Sequence, residues 1–349
     1  MPLDLEAVIP PSYDTMNFLT YIVRRVLLVI PIVLGVLAIT FLISHIVPGD
    51  AAQLMAGPRA TPEIIERIRH EHGLDRPLYV QFGIYIAHVF RGDLGKSILT
   101  RRPVTADILG YFPATFELTT TALLLAVVVG IPLGIVSAVH KDKMVDQFSR
   151  LTSVIGVSTP IFWMGLLLML VFYVRLGVLP GPGRITGNPP AHITGLFILD
   201  SVLTGDWRAL GDSLLNLVMP AFVLGNAVLA RVVRMTRSSM LDVFGQDYVQ
   251  TARAKGLIER AVIYKHALRN ALIPTLTVVG LAYGELLGGA VATELIFAWP
   301  GMAHYVVRSM TSLDFPAIMG VTMVIALIYI LVNLLVDISY AFIDPRIRY

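Results

Sequence analysis

The chain has no cysteine among its 349 residues. That excludes a disulfide framework, a thiolate metal site and thiol-based redox chemistry. Charge is scarce as well. Asp, Glu, Lys and Arg make up 15% of the chain, where soluble domains carry roughly a quarter. What is abundant is apolar: 56% of residues are hydrophobic and the mean hydropathy is +0.74. A membrane protein follows. The net charge is only +3, and no basic face on a soluble module points to nucleic acid. The eight histidines form no HExxH pair. No apolar run holds a Ser/His/Asp set spaced for a nucleophile, so an intramembrane enzyme is not supported.

A hydrocarbon core of ~30 Å needs about 20 apolar residues in a helix. Runs at 26–47, 118–139, 152–174, 214–233, 273–297 and 317–338 meet that length and predict an all-α protein of six transmembrane helices. Pro132, Pro160 and Pro220 fall inside these runs and predict kinks. Basic residues set the orientation. Arg24 and Arg25 precede the first span, Lys141, Lys143 and Arg150 crowd the turn after the second, and Arg346 and Arg348 lie at the end. Arg231, Arg234, Arg237, Arg253, Lys255, Arg260, Lys265 and Arg269 surround one polar stretch. Both termini and that stretch are therefore expected in the cytoplasm. The first span has no small-residue cleavage site behind it and reads as an anchor.

The expected layout is a cytoplasmic N-terminal segment 1–25, the first span 26–47, an external helical segment 48–115 and a core domain 116–343. A cytoplasmic terminus 344–349 completes it. In the external segment Thr61 stands where it can cap TPEIIERIRH. An amphipathic stretch at 79–90 is expected to rest its aromatic side on the membrane interface or the spans. LPGPGRITGNPP (179–190) reads as a Gly/Pro turn region, and FILDSVLTGDWRALGDSLL after it as a short helix pair.

The polar stretch DYVQTARAKGLIERAVIYKHALRNALIP, 247–274, interrupts this greasy sequence. Leu241, Phe244, Tyr248 and Ala252 fall at helical spacing, predicting a first helix with an apolar stripe. Gly256 follows Lys255, as expected where a basic last turn meets a left-handed glycine. A second helix over 259–270 then leads to Pro274. Two helices at a glycine corner make a compact projection, and the apolar stripe beside basic residues predicts a docking surface.

The stretch resembles the cytoplasmic EAA loop of binding-protein-dependent ABC importer permeases, of the branch that imports dipeptides and oligopeptides. IVPGD (46–50), GLDRPLYVQ (73–81), RGDLGKS (91–97), GIPLGIVSAV (130–139), PIFWMGLLLML (160–170), RMTRSSMLDV (234–243), TELIFAWPGM (293–302) and DPRIRY (344–349) resemble segments of that branch as well. Within it, HITGLFILDSVLTGD (192–206) is similar to the external insertion of dipeptide permeases. The resemblance covers nearly the whole chain from Met16. Two departures stand out: Gln250 and Thr251 replace the Glu and first Ala that name the loop, and residues 1–15 precede the usual family start.

The resemblance implies a type I importer transmembrane subunit with an external helical insertion, working by alternating access. It implies a coupling loop, about 237–272, carrying Asp247, Tyr248, Thr251, Ala252, Arg253, Lys255, Gly256, Leu257, His266, Arg269 and Asn270. The implied partners are a second homologous permease subunit, two ATP-binding subunits, an external peptide-binding protein and the lipid bilayer of a bacterial inner membrane. No cofactor is expected on this chain, and ATP and Mg belong to the partner ATPases. Glutathione and nickel permeases of the same family are the alternatives for substrate. A stand-alone secondary transporter or channel is the rival class, but it would need no docking loop and the chain shows no internal repeat.

FRGDLGKS has a phosphate-loop look, yet the spacing needs glycine where Phe90 stands. Gly280, Gly284 and Gly288 recur every four residues and predict close helix packing, with bare backbone toward a translocation path as the other reading. Phe162 and Trp163 read as packing or interface anchors. Intramembrane carboxylates are costly and informative. Glu285 falls near the middle of the fifth span, Glu294 near its outer end and Asp337 at the inner end of the sixth. Glu285, with Gly284, Gly288 and Glu294, is the candidate substrate path, and pairing of each carboxylate with an arginine of a partner subunit is the alternative.

Overall fold

The computed structural model describes residues 18–46, 52–53, 60–71 and 73–343. Residues 1–15, most of IVPGD, and Arg346 and Arg348 in the terminal segment lie outside it, as does the side chain of Asp337. The described residues form helices and an isolated bridge between Lys96 and Pro103. In chain order they are α1 (Phe18–Ile46), α2 (Pro62–Glu71), α3 (Leu78–Phe90), α4 (Val104–Val139), α5 (Met144–Ser158), α6 (Ile161–Arg175), α7 (Phe197–Thr204), α8 (Trp207–Phe244), α9 (Asp247–Ala254), α10 (Glu259–Gly289), α11 (Val291–Ile296), α12 (Met302–Thr311) and α13 (Phe315–Ile343).

Five of these, α1, α4, α8, α10 and α13, contain stretches long and apolar enough to cross a membrane. The third expected span is not straight. α5 and α6 meet at a bend of 105° and make one crossing only as a broken pair. Pro160 is the cause: it cannot donate to the helix ladder and pushes the residue before it out of the helical region. Thr159 accordingly sits at ψ 122°. Pro132 and Pro220 lie inside continuous helices instead. The second half of α6, Met169–Arg175, is a π-helical turn.

α8 is the hub. Leu217, Ala221, Leu224, Val228 and Val232 pack against Ala114, Leu118, Ala122 and Ala126 of α4, with Ala282 and Leu286 of α10, Ala290 just after it and Trp299 closing the cluster. The residues are small for a reason. Without a hydrophobic drive between helices in lipid, close backbone approach supplies the attraction. A Cβ on Gly225 would stand 2.6 Å from the Ala122 carbonyl oxygen, and one on Gly134 would stand 2.6 Å from Thr236. α10 meets α13 the same way, through Gly280 against Val336 and Gly284 against Tyr329. The expected glycine packing therefore holds at two of its three positions, while Gly288 has nothing within 4 Å.

The segment between α1 and α4 folds onto the bundle. Phe82 and Tyr85 of α3 lie against Phe41 of α1, with ring centroids 5.3 and 5.9 Å away, so its aromatic side rests on a span. RGDLGKS is a docked turn: the Ser97 hydroxyl and Leu99 N–H both reach the buried Asp314 at the start of α13. α4 begins at Val104, well ahead of the apolar run at 118, with an extended Pro103 immediately before it. The expected helix pair after the Gly/Pro turn is α7 and the first turns of α8, separated by a left-handed Gly205 and capped by Asp206.

Candidate functional site: a glycine-cornered projection and a charged interhelical face

At α8 of 38 residues and α10 of 31 residues, both helices exceed a ~30 Å hydrocarbon core. Their excess carries a projection. The expected first helix is broken: Leu241 and Phe244 end α8, the chain turns at Gly245 and Gln246, and α9 starts at Asp247. The apolar stripe read from sequence is thus divided between two helices. Val249 and Ala252 of α9 are buried with Val262, and Val243 and Phe244 pack on them. Tyr248 stays partly exposed and its hydroxyl accepts a 2.8 Å hydrogen bond from Asn270, tying α9 to α10.

Gly256 makes the corner at φ +73°. Its N–H donates to the Arg253 carbonyl at 2.9 Å and the Leu257 N–H to the Ala252 carbonyl at 3.4 Å, the two bonds of a Schellman ending. Arg253 crosses the corner to Glu259 at 2.8 Å and stands over the Phe244 ring. Thr251 bonds back to the Asp247 carbonyl, and Gln250 to the Phe244 carbonyl. The tip is rigid and partly greasy. Leu257 is 42% exposed, Ile258 72% and Tyr264 57%. Lys255 and Arg269 are also exposed, and His266 is half-buried in the π-helical turn Val262–Ala267.

Above the corner, a joint escaped the sequence reading. Asp146 at the start of α5 is fully buried. It takes both Nε and Nη2 of Arg237 on α8, with the second contact at 2.7 Å, and a 2.6 Å bond from the Ser137 hydroxyl on α4. One carboxylate so ties three helices at the end that carries the projection. The available signal was an acidic residue in a first helical turn, between Lys143 and Arg150.

The candidate path residues separate into two groups. Glu294 is fully buried and takes the Thr115 hydroxyl at 2.6 Å and the His304 N–H at 2.9 Å. Gly284 is buried against Tyr329. Neither lies on an open face. Glu285 and Gly288 are exposed on the same side of α10, with Leu281 one turn away. Glu285 pairs with Arg231 of α8 at 2.7 Å, within this chain.

The opposite end is a hydrogen-bonded cap. Arg184 is buried with Glu117 at 2.6 Å and also donates to the Gly195 carbonyl. Asp200 collects the N–H groups of Ile193, Thr194 and Gly195 and the Thr194 hydroxyl. Burial raises the Asp200 pKa, but these hydrogen bonds outweigh it and hold the carboxyl below the ordinary range.

Helices of membrane-crossing length, a cap at one end and a rigid cornered projection at the other define a membrane permease subunit. Residues 130–349 match the family described as binding-protein-dependent transport system inner membrane component, and residues 18–119 match the N-terminal region of such membrane components. The chain belongs to this family. It is 49% identical to the probable D,D-dipeptide transport system permease protein of Escherichia coli (strain K12), over 95% of this chain and 98% of that one. It is 43% identical to a dipeptide transport system permease protein of Alkalihalophilus pseudofirmus, over 95% of this chain and all of that one. A glutathione transport system permease protein of Salmonella typhimurium is 41% identical over 95% of this chain.

Proposed function

We propose that this permease subunit moves dipeptides or short oligopeptides inward across a bacterial inner membrane, with both termini in the cytoplasm. The peptide is handed over at the cap end by an external binding protein. ATP hydrolysis, with Mg, takes place in two partner ATPase subunits, and a second permease subunit completes the path. The substrate class rests on the peptide permeases among the relatives. The coupling rests on one observation, the exposed Leu257–Ile258 tip behind a left-handed Gly256. A rigid apolar tip, carried on two helices that run through the bundle, fits a cleft in another subunit and transmits its displacement to α8 and α10. Asp247, Tyr248, Thr251, Ala252, Arg253, Lys255, Gly256, Leu257, His266, Arg269 and Asn270 form this coupling element, and Glu285 with Gly288 lines the path.

Gly256→Leu tests it. Nothing lies within 4 Å of a Cβ at Gly256, so the cost is left-handed backbone strain of roughly 1–2 kcal/mol and not a clash. The variant should insert and keep its bundle, yet lose ATP-driven uptake in the assembled importer. Gly256→Asn, which tolerates the left-handed region, should recover much of it. Full uptake by Gly256→Leu would overturn the lever.

A further inference from the structure

The Arg231–Glu285 pair is unlike the other short ion pairs of the spans and the cap. Arg184–Glu117 is 8% and 4% exposed, and Asp146 with Arg237 is 0% and 18%. Arg231 and Glu285 are 35% and 53% exposed, although both belong to helices of membrane-crossing length. A fold strut in a membrane is buried, because an open charge there is costly even on the mildest scale. A charge pair with an open flank belongs to a face that meets water or a partner, not lipid.

The surroundings define what fits. Glu285 shares its stripe with the exposed Leu281 and with Gly288 and Gly289, where a Cβ would find nothing within 4 Å. One anionic and one cationic side chain therefore stand beside bare backbone, with room and no side-chain pocket.

We propose that Arg231 and Glu285 form a shallow station for the two termini of a zwitterionic peptide, which deepens the peptide-importer reading above and rests on it. The protonated amine goes to Glu285 and the terminal carboxylate to Arg231. The termini of an extended dipeptide lie about 7 Å apart at ~3.5 Å per residue, a gap that the two long side chains open by parting. Arrival breaks one ion pair and makes two. The net gain is a single half-exposed pair, which is weak. A site on a path must be that weak, because the ligand has to leave. Recognition falls on charges every free peptide carries, while its side chains face the bare glycine backbone, so the station reads termini and tolerates sequence.

The test uses the full importer in proteoliposomes, with uptake expressed per loaded binding protein. The probes are a dipeptide with free termini, its des-amino analogue and its C-terminal amide. Glu285→Gln should slow the free dipeptide about fivefold, the value of ~1 kcal/mol, and leave the des-amino analogue as in the parent. Arg231→Gln should slow the free dipeptide likewise and spare the amide. Equal losses for all probes, or none, overturn the station. If either lone charge blocks assembly, the double variant Arg231→Gln/Glu285→Gln decides: a station loses the parent's preference for free termini, and a strut keeps it. A parent complex that imports no peptide refutes the importer reading itself. Normal import by the parent with unaltered preference in the variants refutes the station alone.

Discussion

Asp200 concentrates the hydrogen-bonding economy of the cap in one side chain. Its carboxylate accepts from three consecutive amides that precede α7, of which the last, on the buried Gly195, most needs a partner. Because its folded pKa is depressed, the stabilisation is present above the ordinary carboxylate range and is lost as pH falls through the folded value. Protection of the Ile193, Thr194 and Gly195 amides, read as exchange relative to the intrinsic rate at each pH, should therefore fall in acid. Asp200→Asn should show the low protection already at neutral pH, at a cost of about 1–3 kcal/mol for the unsatisfied amides. High protection that does not change with pH in both proteins would contradict this role.

Among the elements, α10 shows how one glycine repeat serves two faces. Gly280 and Gly284 let α13 come close, whereas Gly288 looks outward. A Cβ at Gly284 would stand 2.1 Å from the Tyr329 ring. Gly284→Val should overpack the α10–α13 contact by roughly 1–3 kcal/mol and lower the thermal stability of the purified subunit. A Cβ at Gly288 has nothing within 4 Å, so Gly288→Val should leave that stability within ~0.5 kcal/mol. Equal thermal shifts would show that the two glycines share one role. The joint at Asp146 works on the same scale: it ties α4, α5 and α8 together where the projection begins.

For the whole molecule, the charge pattern predicts which end faces the cytoplasm, and the absence of native cysteine makes the test direct. Asn188 lies exposed in the cap and Ile258 exposed at the projection tip. A cysteine at Asn188 should react with a membrane-impermeant thiol reagent added outside intact cells. A cysteine at Ile258 should react only after the membrane is opened. The opposite labelling would invert the molecule and with it the direction of transport.

Much of this architecture was legible in the sequence because apolar length and basic flanks act locally. Helices of about 20 apolar residues declare themselves, as do a glycine after a basic turn and a proline in a run. The left-handed Gly256 and the close-packed Gly280 and Gly284 follow from those local rules. Which carboxylate is open and which is sealed does not. Glu285 and Glu294 look alike in sequence, yet one flanks an open face and the other is enclosed by Thr115 and the α12 backbone. Asp146 and Arg231 found their partners only when distant helices crossed. Side-chain burial and pairing depend on which faces of α4, α8 and α10 meet, a decision made by close backbone contact between small residues far apart in the chain.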